Sequence, residues 1–176
     1  MLQLVATSDA GKTWKIIIDP CEREKYGIGP FSLVGEKNGW LLCEGNGPSG
    51  LSDPIKQLFV TEDGGLTWKK LSEASGRTTL PGKLPGLWHS SDLFFLDINH
   101  GWFTDTQGGT FRTEDGGRSW KQINPDEDTY DYYNLDFITP SQGYIIVGGG
   151  ISPALLSSTD GGATWSARLS PPRHDY

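Results

Sequence analysis

Four aspartates stand where chemistry could be built. Asp9, Asp63, Asp115 and Asp160 lie 54, 52 and 45 residues apart, and each is followed by a glycine (Gly11, Gly65, Gly117, Gly162) and a tryptophan (Trp14, Trp68, Trp120, Trp165). A carboxylate beside glycines suggests a calcium loop, but such a loop gathers several oxygen ligands in one segment. Each of these segments brings one. A catalytic constellation is needed once per molecule, whereas this one recurs in every repeat, so the expectation is that the four acids hold shape.

Other residues could carry function from the loops. Two carboxylates roughly 5 to 10 Å apart suffice for glycoside hydrolysis, and Glu22, Glu44, Asp53, Asp92, Asp126, Glu127, Asp128 and Asp131 are candidates. Arg23, Arg77, Trp88, His89, Tyr130, Tyr132 and Tyr133 form an aromatic and polar set of the kind enriched at protein interfaces and sugar-stacking platforms. His89, His100 and His174 show no metal-ligand spacing, so no metal or other cofactor is expected. No serine-nucleophile or phosphate-loop motif occurs, and Gly148-Gly149-Gly150 reads as a connection between strands. Cys21 and Cys43 match no redox or zinc motif; free thiols are the default reading, with one internal bridge as the alternative.

The elements that must position these residues follow from an internal repeat. The pattern [ST]-x-D-x-G-x-[ST]-W occurs as Thr7–Trp14, Thr61–Trp68, Thr113–Trp120 and Ser158–Trp165, and a weaker one as Gly39-Trp40, Gly101-Trp102 and Gly143-Tyr144. Asp accepts backbone N–H groups and Gly takes the left-handed conformation, which makes each segment a hairpin tip, with the following Trp packed inward. Flanking runs such as Gln57–Val60 and Trp68–Leu71 have strand composition, as do Asp92–Asp97 and Gly101–Thr104 upstream. No helical period of useful length appears. Four short strands per unit of about 50 residues predict an all-β fold: a β-propeller of four-stranded antiparallel blades.

The turn resembles the Asp-box, or BNR repeat, of sialidases, xyloglucan-active hydrolases, sortilin-type receptors and photosystem II assembly-factor-like proteins. The run Asp97-Ile98-Asn99-His100-Gly101-Trp102, followed by Thr113-Glu114-Asp115-Gly116-Gly117-Arg118-Ser119-Trp120, is most similar to the assembly-factor-like branch. That resemblance implies a role in protein–protein contact, outside the cytoplasm. The sialidase branch gathers three arginines on its substrate; here only Arg23 and Arg77 fall in loops of the appropriate face.

The blades are expected at 28–71, 92–123 and 133–169, after a half-blade at 1–18, together one propeller segment of about three and a half blades. A ring takes about four to eight. The expectation is therefore a fragment of a longer propeller, or an arc that self-associates through its open blade edges. All Asp-boxes fall on one face of the arc, and the irregular segments 19–30, 44–56, 72–91, 124–132 and 148–154 on the other, where function is expected. A net charge of -7 disfavours nucleic acid as a partner. No apolar run approaches the roughly 20 residues that span a bilayer, and Met1–Ala6 shows no secretory leader. The sequence reading is a non-catalytic scaffold that binds a protein or carbohydrate partner, with a glycoside hydrolase fragment as the alternative.

Overall fold

The computed structural model describes residues 4–47, 50–76, 83–86, 88–123, 131–148 and 154–169. The chain is all-β and forms an incomplete propeller. A two-stranded sheet, β1 (Val5–Ala6) and β2 (Lys15–Ile16), precedes three four-stranded antiparallel blades. The first blade holds β3 (Gly27–Val34), β4 (Asn38–Gly47), β5 (Gly50–Thr61) and β6 (Lys69–Ser75). The second holds β7 (Ser90–Phe95), β8 (Gly101–Asp105), β9 (Thr110–Thr113) and β10 (Lys121–Gln122). The third holds β11 (Asp131–Phe137), β12 (Gly143–Gly148), β13 (Ala154–Ser158) and β14 (Ser166–Leu169). Each blade runs in simple up-and-down order, so the Asp-box of each blade joins its third strand to its fourth, and the first box joins β1 to β2.

Blade stacking explains the composition of the second strands. All five residues of β8 are buried, because one face meets the first blade and the other the third. The Gly-Trp repeat divides the work between those faces. Gly101 pairs with Phe95 of β7 and leaves room for its ring, which a Cβ on Gly101 would strike; Gly143 does the same for Phe137. The next residue points the other way, into the following blade. There Trp40 stacks on Phe95 (3.9 Å) and Trp102 on Phe137 (3.7 Å), both within 4° of parallel.

Three corrections to the sequence reading emerge. The cysteines are not free thiols: Cys21 and Cys43 form a disulfide, both fully buried. They meet because a single helical turn, α1 (Pro20–Glu24), capped by the Asp19 carboxylate on the Cys21 amide, turns the chain back against β4. Nor is 44–56 irregular, since Glu44 pairs with Lys56 in a long β4–β5 ribbon. The box tryptophans do not all pack inward. Trp120 is 4% exposed but Trp14 is 59% exposed, because each box tryptophan packs towards the preceding blade and no described residue lies on that side of β1–β2.

Candidate functional site

The boxes resolve into closed hydrogen-bond circuits. In the first, Asp9 Oδ1 accepts the Thr13 amide (2.8 Å) and the Thr7 hydroxyl (2.8 Å), and Oδ2 accepts the Thr13 hydroxyl (2.6 Å). Thr7 Oγ1 in turn accepts the Gly11 amide. The same set recurs at Asp63, Asp115 and Asp160. Donation to the charged carboxylate lowers its pKa. The Thr13 hydroxyl and amide hold Asp9 down at about 2, and the Thr164 hydroxyl and amide hold Asp160 at about 2. Both oxygens of each acid are occupied within its own turn, which is the chemistry of a staple.

On the opposite face a polar cluster bridges the first two blades. Glu44, near the far end of β4, accepts the Ser90 amide at 2.9 Å on Oε1, and its Oε2 lies 3.2 Å from His89 Nδ1. One carboxylate thus fixes the chain entering β7. His89 supplies its own carbonyl to the Thr106 amide, so the segment is held from both sides. Beneath it, the Lys56 side chain is fully buried; its Nζ makes no hydrogen bond to the described residues and lies 5.3 Å from the centre of the Phe103 ring. Burial pushes the Lys56 pKa down, against the pull of Glu44 and Asp105. A buried cation without a hydrogen-bond partner is costly.

The expected site residues scatter around this cluster. Trp88 and His89 are partly buried at the seam between the first two blades. Arg23 lies exposed on α1. Tyr132 and Tyr133 stand on β11, paired with Val147 and Ile146 of β12, with side chains outside what is described. Arg77 and Tyr130 lie outside the described residues. Of the carboxylates expected in loops, Asp92 stands on β7 and accepts the Leu135 amide on Oδ2 (2.7 Å), a bracket between the second and third blades like that of Glu44 between the first two. Among the described residues no group of three or more His, Cys, Asp or Glu side chains could hold a metal ion. Sequence reasoning missed Lys56; its signal was alternation with Leu58 and Val60 on one face of β5, which marks Lys56 as core-facing.

No curated protein matches the chain. YCF48 from Cyanidioschyzon merolae superposes with a TM-score of 0.59 at 17% identity, covering 97% of this chain and 51% of that one. The GH93 alpha-L-arabinofuranosidase of Fusarium graminearum, in complex with arabinobiose, gives 0.57 at 18% identity, covering 94% and 58%. A structure of YCF48 bound to D1 peptide gives 0.49 at 17% identity, covering 94% and 74%. The chain therefore spans little more than half the length of the first two, and those two likenesses show the fold. The family model of photosynthesis system II assembly factor YCF48 matches residues 83–172, over half of the chain and including the last two boxes. The chain belongs to the photosynthesis system II assembly factor YCF48 family.

Proposed function

We propose that this chain is a non-catalytic assembly scaffold that receives a protein segment on the loop face, at the seam between the first and second blades. The observation that carries this reading is the Glu44 bracket: its carboxylate is taken up by the Ser90 amide and the His89 ring and so positions the segment that enters the second blade. Asp92 is occupied in the same way. Both carboxylates thus do positioning work, which supports recognition over hydrolysis. The fully buried Lys56 amine, whose charged form burial disfavours against the pull of Glu44 and Asp105, is a further polar group held under this seam and also favours a functional role for it.

Family membership supports a role in photosystem II assembly, and the solved YCF48 complex names a D1 peptide as ligand of that relative. The Cys21–Cys43 disulfide supports an oxidising compartment outside the cytoplasm. The likeness to the arabinofuranosidase is one of fold.

The test is titration of the purified chain with a D1-derived peptide and its scrambled control, followed by tryptophan fluorescence. Saturable binding of the first alone is expected, weakened about tenfold or more by Trp88→Ala or His89→Ala. Equal binding of both peptides, or release of sugar from arabinan or xyloglucan, overturns the reading.

A further inference from the structure

The seam between the first and second blades holds one group whose hydrogen-bonding sense is set by its surroundings and then offered outward. Glu44 accepts the Ser90 amide on both carboxylate oxygens, at 2.9 Å on Oε1 and 3.2 Å on Oε2, and the same Oε2 lies 3.2 Å from His89 Nδ1. A carboxylate that accepts on each oxygen calls for a donor at Nδ1, so the neutral imidazole carries its proton there. Nε2 keeps its lone pair. Among the described residues that atom has no hydrogen-bond partner, and the His89 side chain is 37% exposed where that of Glu44 is 11% exposed.

The ring is held in place from two blades. The His89 carbonyl accepts the Thr106 amide at 2.9 Å and Ser90 pairs with Asp105 in the ladder of β7 and β8, while Glu44 reaches the ring from β4. His100 differs. Its Nδ1 lies 2.9 Å from Asp97 Oδ2, three residues away, so that contact closes a turn on the box face and joins no blades.

The charged groups packed around His89 come from three strands: Glu44 on β4, Lys56 opposite it on β5, and Asp105 on β8. Two are carboxylates, and the third is an amine whose charged form burial disfavours. These surroundings favour a hydrogen-bond donor over an anion at Nε2.

We propose that His89 reads the segment docked at this seam: its Nε2 accepts a hydrogen bond from an N–H or O–H of the segment while the ring is neutral, and protonation, which turns Nε2 into a donor, weakens the hold. The role rests on the docking proposed above and supplies its recognition chemistry and its control by acid. An imidazole is the side chain that changes charge between about pH 5 and pH 8. Of the chain's other two, His100 lies on the opposite face and His174 outside the described residues.

One test needs no partner. Two-bond nitrogen–proton NMR of the isotope-labelled chain at about pH 8 reports which ring nitrogen of His89 is protonated, with His89→Gln assigning the signal. Protonation at Nδ1 is expected; a ring protonated at Nε2 overturns the proposal and leaves the docking reading standing. The second test titrates the D1-derived peptide at about pH 8 and about pH 5, followed by tryptophan fluorescence, and affinity should fall at least about tenfold in acid. His89→Gln puts an amide oxygen, which does not titrate, near the place of Nε2. That variant should keep most of the affinity at the higher pH and lose the pH dependence, whereas His100→Gln should change neither. A slope that survives His89→Gln belongs to another group, Lys56 included, and overturns the proposal, as does affinity that is equal or higher in acid. Failure of the peptide to bind at either pH overturns the docking reading, and this proposal with it.

Discussion

Trp102 of the second blade donates its indole N–H to the carbonyl of Gly161 in the box of the third, 59 positions along the chain and 3.0 Å away. The box is therefore a joint between sheets as well as a turn. The staple formed by Asp160 fixes the glycine whose carbonyl receives the neighbouring blade's tryptophan, and the Phe137 ring beneath completes the contact.

Replacement of that indole separates its two contributions. Trp102→Phe keeps a ring on Phe137 but leaves the Gly161 carbonyl buried without its donor, which should cost about 1 to 3 kcal/mol. Trp102→Ala removes the stack as well and should cost about 3 to 5 kcal/mol. Urea denaturation of the two variants checks the order and spacing; equal losses would mean that the hydrogen bond contributes nothing.

The first box differs from the rest at one position, and the structure explains it. Ala10 stands at φ 58° where the other boxes have glycine. In the full blades the equivalent amide donates to a carbonyl of the first hairpin turn, and an added Cβ would press on that turn: 2.7 Å from the Ile98 oxygen at Gly116. The described part of the β1–β2 sheet has no such turn, so alanine meets only the left-handed backbone penalty of about 1 to 2 kcal/mol. Ala10→Gly should thus be neutral to slightly stabilising, whereas Gly116→Ala should lower the denaturation midpoint by clearly more than the backbone penalty alone.

Acid should act through the boxes. A carboxylate whose folded pKa is below its unfolded value contributes stability that is complete above about pH 4 and lost as pH falls through the folded value. For Asp9 and Asp160 that value is about 2, so the loss falls between about pH 4 and pH 2. Asp160→Asn should melt below the parent chain at pH 7, and the gap should narrow across that window. A gap independent of pH in thermal melts would show that the charge is immaterial.

The disulfide should matter more than its two residues suggest. It closes a loop of sequence separation 22, for which chain entropy gives about 3 kcal/mol. Cys21→Ser with Cys43→Ser should show a loss of that size in urea. Since both sulfurs are buried, a reductant should act on the native chain only at the rate of local opening, measurable by thiol trapping with and without low urea.

Lys56 offers a test of cost against function. Lys56→Met should raise the denaturation midpoint, since a buried amine with no hydrogen-bond partner among the described residues is exchanged for an apolar chain of similar length. If the seam receives a partner, the same substitution should weaken peptide binding while it stabilises the fold. A variant that gains stability and keeps full affinity would restrict Lys56 to packing.

The sequence by itself determined the repeat, the hairpin tips and the all-β propeller, because those rest on local physics. An Asp two residues before a Gly closes its own turn whatever surrounds it, and the Gly-Trp pairs carry the facing of the second strands of the first two blades. The hydrogen bonds of Asp9, Asp63, Asp115 and Asp160 are of the same local kind, since their partners lie within four residues. Tertiary structure alone decided the rest. The bond between Cys21 and Cys43 required the capped turn of α1 to reverse the chain, and the exposure of Trp14 required knowing which side each box tryptophan faces. The Glu44–His89 bracket joins residues 45 apart through a seam that exists only once two sheets have stacked. Contacts within a turn are written in spacing; contacts between blades depend on the twist and registry of whole sheets, which no short pattern encodes.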